Sequence, residues 1–87
     1  MVNNLTIDII IPNFNKAKYL SQCLNSIISQ TYTNWKVYLI DDNSNDNSKE
    51  ILSKYQNIKN IKIFNLNENK GPAYCRNLGI QKSNSEL

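Results

Sequence analysis

The sequence contains no histidine, only two cysteines, and no apolar run close to the roughly 20 residues that cross a bilayer. The missing histidine excludes Ser-His and Cys-His nucleophile pairs within this chain. Cys23 and Cys75 are too few for a disulfide scaffold or a structural zinc site, and we expect both to be free, buried, small apolar residues. Any chemistry here must therefore use carboxylates, amides, lysine or arginine.

Charge of one sign is not concentrated anywhere along the chain. The 10 basic and 7 acidic residues are scattered, and the formal net charge is only +3. This pattern argues against nucleic acid as a partner. The first residues also lack a basic segment followed by an apolar one, so the sequence predicts no secretion signal and a cytoplasmic protein.

Three short apolar runs alternate with three helical patterns. The runs predict strands at Ile7–Ile11, Trp35–Ile40 and Ile61–Leu66, and the first run is typical of a strand buried on both faces. The helices are predicted at about 16–30, 47–56 and 72–81. The first helix presents one apolar stripe, made of Leu20, Cys23, Leu24, Ile27 and Ile28.

Local signals mark the helix ends. Asn47 with Glu50 three residues later predicts a capping box at the start of the second helix. Pro72 is well placed as the first residue of the third helix, where its missing N–H is not needed. The run Ser83-Asn84-Ser85 is predicted to break that helix.

The order β-α-β-α-β-α with short connections predicts a three-layer α/β fold with a parallel sheet. If the strand order is 3-2-1, right-handed crossovers place the first two helices on one face and the third helix on the other. Cys23 and Cys75 would then lie on opposite faces, too far apart to form a disulfide. No linker-like segment interrupts the pattern, so we place no domain boundary within residues 1–87.

Ligands of open parallel sheets bind at the carboxyl ends of the strands, where the strand order reverses. Asp41 and Asp42 follow the second strand, and they could accept hydrogen bonds from a ribose or a base. Asp and Asn also favour turns, so a purely local role stays open. Phe14, after the first strand, could stack on a base or belong to the core.

The third helix begins close to the same edge of the sheet. Lys70, Gly71 and Arg76 place positive charge and a helix amino terminus there, which suits phosphate. The sequence has neither the Gly-x-Gly-x-x-Gly pattern of dinucleotide-binding folds nor a P-loop. The acidic pair follows the second strand and not the first, which weakens a phosphoacceptor interpretation.

Five ordered motifs, spread over nearly the whole chain, together resemble the family-2 inverting glycosyltransferases of the GT-A fold. The motifs are Ile9-Ile10-Ile11-Pro12-Asn13-Phe14-Asn15, Ser29-Gln30-Thr31-Tyr32, Leu39-Ile40-Asp41-Asp42-Asn43-Ser44, Asn69-Lys70-Gly71 and Arg76-Asn77-Leu78-Gly79. The resemblance implies that the chain forms the Rossmann-like amino-terminal half of a GT-A fold.

The resemblance also implies a nucleotide-binding role for eight residues. Phe14, in place of the family's usual Tyr, would line the base pocket, Asp42 would hydrogen-bond the base, and Asp41 would support the loop or the ribose. Arg76 would lie near the base or the diphosphate. The full set is Pro12, Asn13, Phe14, Asn15, Asp41, Asp42, Gly71 and Arg76.

Gly71 in that set would let the backbone approach the ligand closely. Gln30 and Trp35 would be structural residues in the turn between the first helix and the second strand.

By the same resemblance, the parent enzyme transfers a sugar from a nucleotide-diphosphate donor, uridine-based, to an acceptor hydroxyl with inversion. The acceptor would be a saccharide or lipid-linked, in bacterial surface polysaccharide or glycan synthesis, at the inner face of the membrane. Mn²⁺ or Mg²⁺ and a general base would be held by residues after a fourth strand. We therefore expect this segment to hold no catalytic residue and no metal ligand and to be inactive alone. Without the fourth strand, the first strand would have an unpaired edge, so we also expect the chain to self-associate or to be only marginally folded.

Two other interpretations stay open on the residues themselves. The chain could be a nucleotide-binding module without catalysis, or a doubly wound structural domain that binds no nucleotide. An acidic metal-binding motif and a later carboxylate in the downstream sequence would favour the enzyme.

Overall fold

The computed structural model describes residues 5–84. Its elements are, in order, β1 (Ile7–Asn13), α1 (Ala17–Ser29), β2 (Trp35–Asp41), α2 (Ser48–Ser53), β3 (Ile61–Asn65) and α3 (Pro72–Asn84). The three strands are parallel and lie in the order β1-β2-β3, with Ile9 opposite Val37 and Leu39 opposite Ile63. The predicted α/β fold with a parallel sheet in the order 3-2-1 is confirmed.

The main core lies between one face of the sheet and the helices α1 and α2. Alternate strand residues point to this face, as the period of two requires. Leu24, Val37 and Leu39 are fully buried there. The buried members of the core are Leu20, Leu24, Trp35, Val37, Leu39, Leu52, Tyr55 and Ile61.

Helix α3 covers the opposite face and contacts β1 and β2. Its backbone comes close to the sheet at Gly79, because a Cβ atom there would clash with Cγ2 of Ile10. Cys75, a residue of the same helix, is fully buried. Lys82 Nζ lies 5.2 Å from the centre of the Phe64 ring. The predicted crossing of the third helix to the other face is therefore confirmed.

The apolar stripe of α1 is narrower than predicted. Leu20 and Leu24 are buried, but Cys23 is exposed and Ile28 is 39% exposed. These two residues flank the stripe and do not lie at its centre, so the prediction of a buried Cys23 is wrong. Both cysteines are free, as expected.

Strand β1 differs from prediction in its length and its burial. It continues through Pro12 to Asn13. Ile7 donates its N–H to Asn34 O, and Asn13 O accepts from Asp42 N–H, so the odd-numbered residues of β1 direct their backbone groups towards β2. Pro12 therefore directs its nitrogen towards the open edge of the sheet. Proline is tolerated there because no ladder bond needs its nitrogen. As an edge strand, β1 leaves Ile7 51% exposed, and the prediction of burial on both faces is wrong.

The helix ends also correct two predictions. Asn47 makes no side-chain cap at α2, and Asp46 Oδ1 instead accepts the Ser48 N–H at 2.9 Å. Helix α3 begins at Pro72 as predicted, but it continues through Ser83 and Asn84, where the Ser83 hydroxyl donates to Ile80 O at 2.8 Å. That local bond lets serine remain in the helix, and Ser85 lies outside the described residues.

The register leaves the outer edge of β1 without a neighbouring strand among residues 5–84. The backbone groups of Asp8 and Ile10 face this edge, and such an edge is a template for pairing with another chain. Self-association of the 87-residue chain through β1 stays a prediction. Sedimentation velocity over a concentration series tests it, and a monomer with slow amide exchange along β1 would contradict it.

Candidate nucleotide-binding site

A pocket of about 450 Å³ lies at the carboxyl ends of β1 and β2, beside the amino terminus of α3. The turn after β1, the loop after β2 and the segment before α3 each contribute to its wall. Its lining residues are Pro12, Asn13, Phe14, Lys16, Asp42, Asn69, Gly71, Pro72 and Cys75. The structure thus brings together five of the eight predicted site residues in one pocket, at the edge where an open parallel sheet binds ligands.

Asp41 ties the end of β2 to the turn after β1. Its Oδ1 accepts from Asn13 Nδ2 at 2.8 Å and from the Ser44 hydroxyl at 2.7 Å, and its Oδ2 accepts from Ser44 N–H at 3.0 Å. The side chain is fully buried and does not line the pocket. Of the two predicted roles for Asp41, these contacts favour support of the loop over contact with a ribose.

Asn15 closes the turn that carries Phe14. Its backbone is left-handed, with φ of 54°, a conformation that Asn adopts more readily than most residues. Its Oδ1 accepts from Asn45 N–H at 2.8 Å and Asp46 N–H at 3.2 Å. Asn15 therefore shapes the pocket from outside its lining, and the neighbouring Phe14, which does line the pocket, is 43% exposed.

Asp42 contacts the start of α3 from the opposite wall. Its Oδ1 accepts from Lys70 N–H at 2.7 Å, its Oδ2 accepts from Gly71 N–H at 3.0 Å, and its carbonyl accepts from Asn69 Nδ2 at 2.6 Å. A carboxylate offers about four acceptor positions, so both oxygens keep capacity for a further donor. Asp42 is 95% buried yet lines the pocket, which suits recognition of a ligand N–H.

Gly71 forms the corner between this wall and α3. Its φ is +90°, in the region that favours glycine, and a Cβ atom added there would meet nothing within 4 Å. The open space and the nearby helix amino terminus fit the predicted close approach of a ligand to the backbone.

The basic residues near the pocket are not the ones that the sequence pattern singled out. Arg76 is exposed on α3 and does not line the pocket, and Lys70 forms an ion pair with Glu68 at 2.6 Å, which raises the pKa of Lys70. Lys16 does line it. The sequence could have indicated this, because Lys16 directly follows Asn15 and the turn after the first strand was already expected to reach the pocket.

Cys75 also contributes to the pocket, and the sequence analysis treated it only as a core residue. Burial raises the pKa of its thiol, and the negative charge of Asp42 raises it further. Both effects favour the thiol over the thiolate, so Cys75 is a poor candidate for a nucleophile.

Residues 5–84 contain no group of three His, Cys, Asp or Glu side chains that could hold a metal ion. Neither Asp41 nor Asp42, the two carboxylates nearest the pocket, belongs to such a group. These residues do not fit a metal site, and metal ligands elsewhere in the parent protein stay a prediction. Within the same residues, no helix is long and apolar enough to span a membrane.

Known proteins are similar to this chain over almost its whole length. The model of the family "Glycosyl transferase family 2" matches residues 8–87. An uncharacterized glycosyltransferase of Haemophilus influenzae is 38% identical over 86 residues, which cover 98% of this chain and 34% of that protein. Poly(ribitol-phosphate) beta-N-acetylglucosaminyltransferase TarS of Staphylococcus aureus is 34% identical over 82 residues, which cover 91% of this chain and 14% of TarS. The chain thus spans about a third or less of the length of these relatives.

Solved structures share the fold. The crystal structure of S. aureus TarS in complex with UDP-GlcNAc matches with a TM-score of 0.81 and 32% identity over 90% of this chain and 23% of that one. The mannosyltransferase PcManGT of Pyrobaculum calidifontis, in complex with GDP-Man and Mn2+, matches with a TM-score of 0.78 over 87% of this chain and 24% of that one, and at 20% identity it supports the fold alone. The strand order, the pocket and the family match agree, and the chain belongs to glycosyl transferase family 2.

Proposed function

We propose that the parent protein transfers a sugar from a nucleotide-diphosphate donor to an acceptor hydroxyl, and that residues 1–87 supply the part that binds the nucleotide. The observation that carries this proposal is the pocket at the carboxyl ends of the strands. It combines a buried carboxylate, an aromatic ring and a helix amino terminus within one cavity of about 450 Å³. The family match over residues 8–87 supports the same activity.

A uridine diphosphate suits the chemistry of the pocket walls. Asp42 is an acceptor and would take the single imide N–H of uracil, while the exposed face of Phe14 would stack on the ring. Lys16 and the amino terminus of α3 would lie on the diphosphate side, where positive charge and free N–H groups stabilise anions. TarS, a relative at 34% identity, has been crystallised with UDP and with UDP-GlcNAc, which supports the choice of base.

The reaction that we propose is a direct displacement at the anomeric carbon. The acceptor oxygen forms the new bond from one face as the bond to the diphosphate oxygen breaks on the other, so the configuration inverts. The nucleoside diphosphate leaves with the electron pair, and the acceptor proton passes to a base outside residues 5–84. A divalent cation, when bound, would stabilise the leaving diphosphate.

The wider setting follows from the relatives and is part of the proposal. The named relatives with sequence similarity are bacterial, and TarS is named for transfer of N-acetylglucosamine to poly(ribitol-phosphate). We place the parent protein in bacterial surface polysaccharide or glycan synthesis, with a saccharide or lipid-linked acceptor, at the cytoplasmic face of the membrane.

The test is donor turnover by the purified full-length protein. A panel of UDP-, GDP- and dTDP-sugars is incubated with Mn²⁺ or Mg²⁺, and release of the nucleoside diphosphate is measured. We expect UDP release from one UDP-sugar and an inverted anomeric linkage in the product by NMR. Binding of UDP without turnover of any donor would favour the non-catalytic nucleotide-binding module instead, and absence of UDP binding would contradict both.

The 87-residue chain alone is expected to show no transfer under the same conditions. Transfer by rigorously purified 87-residue chain would contradict the expectation that the base and metal ligands lie elsewhere.

A further inference from the structure

The hydroxyl of Ser44 is the centre of the polar network beside the pocket. It donates to Asp41 Oδ1 at 2.7 Å, accepts from Asn15 N–H at 2.9 Å, and accepts from Asn13 Nδ2 at 3.4 Å. A serine hydroxyl has one donor and two acceptor positions, so all three are in use. Ser44 is only 5% exposed and does not line the pocket. It can therefore influence a ligand only through the residues that it holds.

Two of those residues, Asn13 and Asn15, are the chain neighbours of Phe14. Asn13 is bound to Ser44 through its side chain, and Asn15 is bound through its backbone N–H. The Phe14 ring is 43% exposed at the rim of the pocket, so packing against the protein restrains it only in part. Its position follows from the backbone on either side, and Ser44 contacts both sides.

The same network reaches the other wall of the pocket. Asp42 follows Asp41 directly, and the Asp42 N–H donates to Asn13 O at 2.8 Å. The Phe14 ring and the Asp42 carboxylate therefore stand on segments that Ser44 links through Asn13 and Asp41. A ligand that contacts both walls needs their separation to be fixed before it binds, because ordering them on binding lowers the affinity.

We propose that Ser44 is a positioning residue, which holds the Phe14 turn against the Asp42 loop and thereby sets the affinity for the nucleotide. This inference rests on the proposed function for the ligand and on the hydrogen bonds above for the mechanism. It assigns no contact between Ser44 and the ligand.

The first experiment compares UDP affinity of full-length variants by calorimetry. Ser44→Ala removes the hydroxyl, and we expect the Kd to rise roughly 5- to 30-fold, the scale of one or two lost hydrogen bonds. Ser44→Thr keeps a hydroxyl and is expected to restore most of the affinity. The matched control is Ser48→Ala, because Ser48 is a fully buried serine that does not line the pocket and makes no hydrogen bond to Ser44.

A double-mutant cycle identifies the route of the effect. If Ser44 acts through Phe14, then Ser44→Ala should change the Kd by less than about twofold once Phe14 is alanine. Additive effects of Ser44→Ala and Phe14→Ala on the Kd would overturn the proposal, as would an unchanged Kd in Ser44→Ala.

Amide hydrogen exchange in the ligand-free protein separates positioning from general stability. In Ser44→Ala, the Asn15 amide loses its acceptor and should exchange at least several times faster. The Val37 amide, which donates to Asn60 O at 2.8 Å in the sheet, should keep its rate. Equal acceleration of both amides would show a loss of global stability and would overturn the proposal.

Failure of the proposed function would give a different result. If the wild-type protein does not bind UDP at all, the proposed ligand is wrong and so is the link between Ser44 and nucleotide affinity. The exchange of the Asn15 amide would still decide whether Ser44 fixes the turn.

Discussion

Two cavities of the molecule differ in volume and in the side chains that line them. The larger, about 720 Å³, runs along α2 and the outer edge of β3. Its lining includes Lys49, Lys59 and Lys62 but no carboxylate. The smaller pocket of about 450 Å³ lies at the carboxyl ends of the strands and includes Asp42, Phe14 and the start of α3.

The size of a cavity therefore does not identify the binding site in this protein. The polar groups of the smaller pocket converge from three segments and are held by buried and partly buried hydrogen bonds, whereas the larger cavity is a groove beside an edge strand whose lining contains lysines but no carboxylate. A ligand gains specificity from a few fixed polar groups in a mostly apolar cavity. If this comparison is right, substitutions near the smaller pocket should alter the protein strongly, and matched substitutions in the groove should not.

The largest expected effect is on the fold around the smaller pocket. Asp41→Ala leaves Asn13 Nδ2 and two Ser44 donors without their buried acceptor, and we expect it to lower the free energy of unfolding by about 3 kcal/mol. Lys59→Ala in the groove is the control, and it should change stability by less than about 0.5 kcal/mol. Denaturant titration measures the free energy of unfolding of both variants. Similar losses in the two would contradict the claim that the walls of the smaller pocket are held more firmly than the groove.

The next effect is on the ligand. Asp42→Ala removes the acceptor that we assign to the base, and it should weaken UDP binding by about 1–3 kcal/mol. Lys59→Ala should leave the affinity unchanged, because Lys59 belongs to the groove. Isothermal calorimetry on folded full-length variants tests the pair. Unchanged affinity in Asp42→Ala, or a large loss in Lys59→Ala, would contradict the assignment.

Gly71 should give a smaller effect that depends on the backbone alone. Its φ of +90° strains any other residue, although a Cβ atom would meet no neighbour. We expect Gly71→Ala to cost about 1–2 kcal/mol of stability by thermal or chemical unfolding. A neutral Gly71→Ala would show that the corner relaxes freely and does not fix the pocket wall.

The smallest expected effect concerns the two thiols. Burial and then the charge of Asp42 raise the pKa of Cys75, so at a given pH it holds less thiolate than it would without them. Cys23 is exposed. Alkylation followed by mass spectrometry should modify Cys23 first, and Asp42→Ala should lower the pKa of Cys75 and speed its modification. Faster alkylation of Cys75 than of Cys23 in the wild type would contradict this order.

Much of the fold could be predicted from the sequence because the signals were local. The β-branched runs, the spacing of Leu20 and Leu24, and Pro72 at a helix start each predict an element by themselves. The exposure of Cys23 was missed because periodicity defines the centre of a helix stripe better than its margins. The course of β1 through Pro12 depends on which side of the strand faces a neighbour, which only the assembled sheet shows.

For the candidate site, the sequence indicated some of the pocket residues and missed others. Phe14, Asp42 and Gly71 line the pocket, as expected for residues that follow a strand or precede a helix, and their contact with a nucleotide stays a prediction. Position alone could not distinguish Asp41 from Asp42, and only the family resemblance gave them separate roles. Neighbouring residues at a strand end point to opposite sides, and Asn13 and Lys70, which contact Asp41 and Asp42 respectively, lie 28 residues away in the sequence. Lys16 was missed because the motif ended one residue before it.

A crystal structure of the full-length protein with UDP would show directly whether this pocket binds the nucleotide. We expect the base between the Phe14 ring and the Asp42 carboxylate, with the diphosphate beside Lys16 and the amino terminus of α3. Density for UDP in the groove along β3, or a base without contact to Phe14 and Asp42, would contradict it.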